Sequence, residues 1–211
     1  GILAKNGFSE PVLGLAVAGM IAGIAGFFSS FLILRGSDLT RLMITLGVAL
    51  IFHELANRLN WLTGGADGLL GITIGPILGR FEFDFRGTTA YTYSLTVLFL
   101  LFLLARRIIH SPFGLSLKAL KDNRLRAGTI GIASGRRLVA IYTLAAVYAG
   151  IAGGLLTQTT AFVSLEVLDF ARSADALLVL VIGGSGSLYG GPIGALFFNI
   201  TKDTPPVRPP P

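Results

Sequence analysis

Three places in this sequence hold residue types that could do chemistry. His53 and Glu54 are ionisable side chains inside an apolar run, Ser185 stands in the Gly-rich "GGSGSLYGGPIG", and the stretch "SPFGLSLKALKDNRLRAGTIGI" at 111–132 concentrates lysine and arginine. Ionisable groups at membrane depth are costly and default to a functional reading. His53 and Glu54 would then line an outer entrance or touch a partner protein, or, a turn or two from an interface, simply reach water. A nucleophilic serine needs a histidine base within hydrogen-bond reach, and the two histidines, His53 and His110, both precede Ser185. No cysteine is present, which excludes disulfides, thiol nucleophiles and cysteine metal sites. No Gly-x-x-x-x-Gly-Lys-Ser/Thr occurs and no histidine–carboxylate cluster has metal-ligand spacing. The chain itself therefore binds no cofactor by these routes, and energy for any work must come from elsewhere.

The elements that must position these residues are apolar runs. The chain is 53% hydrophobic and 13% charged, with 28 glycines, the composition of a membrane protein rather than a soluble one. Its net charge of +6 sets topology better than it binds nucleic acid, because no soluble basic domain is visible. Crossing about 30 Å of hydrocarbon takes roughly 20 helical residues. Five runs qualify: Val12 to Leu34, Leu42 to about Leu59, about Thr89 to Ala105 with Arg106 and Arg107 snorkelling, Leu138 to Thr160, and Ala174 to about Ile200. The expected fold is all-α, a polytopic transmembrane helical bundle of about five spans. One membrane domain covers 1–200, with a cytoplasmic loop at 106–137, and a disordered Pro-rich tail covers 201–211. The first run is too long for a signal-peptide core, and the opening Gly1 points to a missing N-terminus. With 106–137 inside, twelve of the seventeen lysines and arginines share that face, which puts the N-terminus outside and the C-terminus inside. The outer loop from Trp61 to Thr88 opens on "TGGADG", suited to a tight turn. It continues into "RFEFDFR", read as an interfacial segment laying phenylalanines on lipid in preference to a half-buried strand.

In the 111–132 stretch Ser111 suits an N-cap and Pro112 a first helical position. Phe113, Leu117 and Leu120 then recur at i, i+4 and i+7, Leu125 is less regularly placed, and Ser116, Lys118, Lys121, Asp122 and Arg124 take much of the remaining surface. The helix could lie on anionic headgroups or sit in a groove of a cytoplasmic partner and pass movement into the spans. The Gly-rich run could pack closely against a neighbour through Gly186, Gly190 and Gly194. An interrupted helix is also a device of transporter sites, and Gly183, Gly184 and Ser185 are the candidates for lining a cavity. Gln158 could line the same pathway or hydrogen-bond a neighbouring helix. Gly19–Gly23 and Gly150–Gly154 have the spacing of packing seams.

The 111–132 stretch resembles the cytoplasmic loop of permease subunits of branched-chain amino-acid ABC importers, the LivM-like family. "LRGSDLTRLMITLGVALIFHELANRLNWLTGGADGL", "AAVYAGIAGGLL" and "FVSLEVLDFARSADALLVLVIGGSGSLYGGPIGA" agree with it in the same order, over about residues 12 to 199. The resemblance implies an inner-membrane permease moving solute by alternating access. It also implies a second homologous permease, a periplasmic binding protein and two cytoplasmic ATPases that hold ATP and Mg. Coupling would fall to Ser111, Pro112, Phe113, Gly114, Leu117, Lys118, Leu120, Asp122, Asn123, Arg126 and Gly131. The sequence departs from the family near Leu39 and Arg41, where an aromatic is usual, and it reads as an internal fragment of a longer permease. A channel or secondary carrier is the alternative. "GGSG" also resembles the Gly-x-Ser-Gly of rhomboid intramembrane proteases, but in those the histidine lies on a later span.

Overall fold

The computed structural model describes residues 10–34, 38–59, 64–65, 68–69, 88–184 and 186–203. Regular structure among them is helical: α1 (Pro11–Ile33), α2 (Asp38–Arg58), α3 (Thr88–Ile109), α4 (Pro112–Asp122), α5 (Arg124–Thr129), α6 (Ser134–Thr160), a 3-10 turn (Leu165–Leu168), α7 (Phe170–Gly183) and α8 (Gly190–Asp203). Four of these, α1, α2, α3 and α6, are long and apolar enough to cross a membrane. At 1.5 Å per residue, helices of 20 to 27 residues reach or exceed about 30 Å.

The chain divides into two compact units, 1–165 and 166–211. In the first, α1 and α6 lie antiparallel along a seam of small residues. A Cβ added at Gly26 would strike that of Ala146, one at Gly23 would come within 2.7 Å of the Val147 methyl, and one at Gly19 within 3.0 Å of Ile151. On the other side of the seam, a Cβ at Gly150 would meet Ala22, and one at Gly154 would lie 2.8 Å from Leu15. Apolar side chains gain nothing by leaving lipid for protein, so close backbone approach and dispersion hold such pairs. The glycines read as packing seams thus do pack. Gln158 adds a polar tie, donating its Nε2 to the Pro11 carbonyl at 2.7 Å. The Tyr148 hydroxyl donates to Leu101 O at 3.1 Å, which links α6 to α3.

Beyond the C-terminal end of α6, Leu69 and Val163 form an isolated antiparallel bridge, with Leu69 N–H donating to Val163 O at 2.8 Å. Gly68 makes this possible: its φ of +71° is left-handed, and a Cβ there would collide with the Val163 carbonyl. Gly64 and Gly65 also have positive φ, in keeping with the turn expected from "TGGADG". The "RFEFDFR" segment lies outside the described residues.

The second unit departs from expectation. In place of one crossing from Ala174 to Ile200 there are two helices of 14 residues each, broken at the Gly-rich run. They fold back on one another. A Cβ on Gly183 would run into the Gly190 carbonyl, and one on Gly194 would run into that of Val179. Farther along, Lys202 Nζ lies 3.7 Å from Asp175 Oδ2. The tail expected from residue 201 is still helical through Asp203, because the first proline of "KDTPPVRPPP" is Pro205 and disfavours helix only from the residue before it. Residues 204–211 lie outside the described set.

Candidate functional site

The 111–132 stretch folds as two short helices joined at a sharp break. Ser111 caps α4, its Oγ accepting from Gly114 N–H at 3.3 Å and donating to Ile108 O at 2.6 Å, and Pro112 takes the first helical position. Gly114 is buried against the end of α3, where a Cβ would collide with the carbonyls of Ile108 and Ile109. That contact sets how close α4 comes to the membrane-crossing helix before it. Asn123 ends α4 and starts α5 in one residue. Its extended backbone, with φ −155°, breaks the helix, its N–H donates to Ala119 O, and its Oδ1 accepts from Arg126 N–H at 3.0 Å. The segment closes at Gly131, where φ is +82°.

The inward face is the expected one. Phe113 and Leu117 are half-buried and Leu120 is buried. The Arg137 guanidinium, from the first turn of α6, stacks 5.2 Å from the Phe113 ring centre, a cation–π contact that ties α4 to α6. Sequence reasoning missed Arg137 and also Ala127, which is 1% exposed and is the most deeply buried residue of α5. An alanine carries no hydropathy signal in so short a helix, although its place four residues after the capping Asn123 was available. Lys118, Asp122 and Arg126 are exposed. Leu115, Leu125 and Ile130 point outward as well, at 60%, 86% and 69% exposure. Apolar side chains thus stand among the charges on the free face.

The described pathway candidates each have their own local partners. His53 is half-buried near the end of α2, while Glu54 is exposed and accepts from Arg58 Nε at 2.7 Å one turn on. An exposed i,i+4 pair of this kind belongs to a helix surface. Gln158 is committed through Nε2 to α1, the interhelical alternative of its two readings. Gly183 is wedged against α8, and Gly184 turns the chain with φ +87°. Ser185 lies outside the described residues. An open groove of about 490 Å³ between α1, α2 and α6 is lined by Gly26, Thr45, Phe52, Tyr142 and Ala146, among others, with none of these candidates in its wall. His110 Nδ1 lies 2.8 Å from the Arg106 carbonyl within its own helix end. No group of three histidine, cysteine or carboxylate residues suited to a metal occurs among the described residues.

Comparison with known proteins gives the arrangement its context. The family model for the permease component of the branched-chain amino acid transport system matches residues 1–205. The chain is 26% identical over 210 residues to the high-affinity branched-chain amino acid transport system permease protein LivM of Escherichia coli K12, covering 90% of this chain and 49% of that one. It is 25% identical over 207 residues to the autoinducer 2 import system permease protein LsrC of Enterobacter sp. strain 638, covering 94% and 57%. To the fructose import permease protein FrcC of Rhizobium meliloti it is 27% identical over 206 residues, covering 93% and 56%. The chain thus spans about half the length of these curated relatives. No solved structure matches it. With four helices able to cross a membrane and a family match over nearly its whole length, this multi-pass chain belongs to the ABC transporter permease family of the branched-chain amino acid transport system.

Proposed function

We propose that the chain is part of a permease subunit of an ATP-driven importer in the bacterial inner membrane, and that α4–α5 is the element through which two cytoplasmic ATPases move it. The observation that carries this reading is the construction of the segment. Its Phe113–Leu117–Leu120 face is anchored on the permease, its two helices are separately capped, and Leu115, Leu125 and Ile130 remain on the free face. A helix lying passively on lipid would turn its apolar face to the membrane and only charge outward. Anchored on one side and with apolar residues on the other, α4–α5 suits a groove in a partner that receives those side chains.

The solute is a branched-chain amino acid or another small polar molecule. Relatives named for autoinducer 2 and fructose as well as branched-chain amino acids show that this scaffold serves unlike ligands, so the pocket of the periplasmic binding protein is the place to read the ligand. A second homologous permease would complete the path.

The test is capture of the ATPases on the detergent-solubilised permease, with uptake measured in parallel in vesicles. Leu125→Asp with Ile130→Asp should abolish capture and uptake while membrane insertion persists. Full uptake by this variant, or uptake with no ATPase present, would exclude the reading in favour of a channel or secondary carrier.

A further inference from the structure

The second unit raises a question of membrane placement that is independent of what powers transport. Helices of 14 residues are about 21 Å long, short of the roughly 30 Å hydrocarbon layer. Their polarity is graded rather than uniform. Arg172, Ser173 and Asp175 open α7, and Asn199, Thr201 and Lys202 close α8, while the residues between are almost all apolar or glycine. Folding back puts both polar ends together, Asp175 against Lys202, and both apolar ends together, Val179 and Gly183 against Gly194 and Gly190. Leu177, Val181, Ile193, Leu196 and Phe197 are each more than 60% exposed on the outside of this pair, a surface suited to lipid or protein and not to water.

The link from α6 fixes where the pair begins. Nine residues, 161–169, separate Thr160 from Phe170, and four of them form the 3-10 turn. At about 2 Å per 3-10 residue and at most about 3.6 Å for each of the others, they reach about 26 Å. They also carry Glu166 and Asp169. Such a link cannot recross the bilayer, so α7 starts at the membrane face where α6 ends.

We infer that α7–α8 is a re-entrant hairpin: it enters from the face at which α6 ends, reverses between α7 and α8 within the membrane, and returns Lys202 to that same face. Non-helical backbone at that depth is tolerated only against protein or a water-filled cavity. The turn meets part of that demand itself, with Gly184 N–H donating to Val181 O and Gly190 N–H to Ser187 O, both at 3.2 Å. With α4–α5 inside, Lys202 moves to the outer face, and the interior C-terminus expected from run counting becomes an exterior one at this point of the chain. The charge bias survives the change, because Arg35, Arg41 and the eight lysines and arginines of 106–137 stay inside, ten of seventeen.

This stretch has no cysteine, so single cysteines stand here without local background once any cysteine elsewhere in the permease has been replaced. Arg172→Cys, Thr201→Cys and, as a reference, Lys121→Cys are introduced into the intact permease in cell membranes. Each is then probed with a membrane-impermeant maleimide in right-side-out and inside-out vesicles. Residues 172 and 201 should react from one side and residue 121 from the other. Reaction of residue 201 from the side of residue 121 would overturn the hairpin. A second measurement decides if a site is unreactive: Asp175→Cys with Lys202→Cys should be joined by a short bis-maleimide. A single crossing would hold these positions, 27 apart, about 40 Å from each other, so failure to join them would overturn the inference too.

Discussion

Two antiparallel helix pairs in this chain close on glycine, but they close on different things. Along α1–α6 most of the glycines receive the ends of side chains: Ile151 at Gly19, Val147 at Gly23, Leu15 at Gly154. Between α7 and α8 backbone meets backbone, with Gly183 and Gly194 facing the carbonyls of Gly190 and Val179. The branched ends of Val147, Ile151 and Leu15 can rotate or shift to admit an intruder, whereas a carbonyl moves only if its helix moves. The pairs also differ in length, 23 and 27 residues against 14 and 14. Glycine spacing therefore reports close approach, while helix length reports whether a pair can cross the bilayer.

This contrast can be broken or sharpened by substitution. The largest effect is expected for Gly183→Leu, which forces α7 off α8. Overpacking costs about 1–3 kcal/mol where side chains can adjust, and here it should exceed that range, seen as loss of the 175–202 cross-link and a lower melting temperature in detergent. Gly154→Leu should cost about 1–3 kcal/mol by the same measurement, since the Leu15 methyl, 2.8 Å from an added Cβ, is the end of a side chain that can shift. If it proved the more damaging of the two, the distinction between backbone and side-chain packing would be wrong. Gly114→Ala puts a methyl on the Ile108 and Ile109 carbonyls and should tilt α4, cutting uptake about tenfold, the equivalent of about 1.4 kcal/mol, while ATPase capture is retained. Gln158→Leu removes the tie to Pro11 and should cost about 0.6 kcal/mol, the usual worth of a hydrogen bond between membrane helices. Gly47→Ala, with open space around it, should be neutral or stabilising by up to about 1 kcal/mol through helix propensity, and a clear loss would point to a partner seated there.

Much of the architecture was legible beforehand. The runs at Val12, Leu42, Thr89 and Leu138 became α1, α2, α3 and α6 because a run of about 20 apolar residues has few other folded fates at a membrane. Ser111 and Pro112 announced α4, since capping chemistry is a property of adjacent residues. Asn123 as a double cap was harder to see, because its role depends on an extended backbone between two helices. His53, Glu54, Gln158 and Gly183 invited a common pathway reading by polarity and depth alone. Their partners differ: Glu54 has Arg58, Gln158 has Pro11 O, and Gly183 has α8.

The sequence by itself determined that this is an all-helical membrane chain, which face of α4 turns inward, and where the Gly-rich break falls, because each is written in local hydropathy, periodicity and capping. Only the tertiary structure decided that the last apolar stretch doubles back, that Gln158 joins helices 147 positions apart, and that Arg137 covers Phe113. Hydropathy is summed along the chain and is the same for one long helix as for two short ones. The difference lies in which atoms meet across space, and that depends on backbones close enough for a glycine to matter.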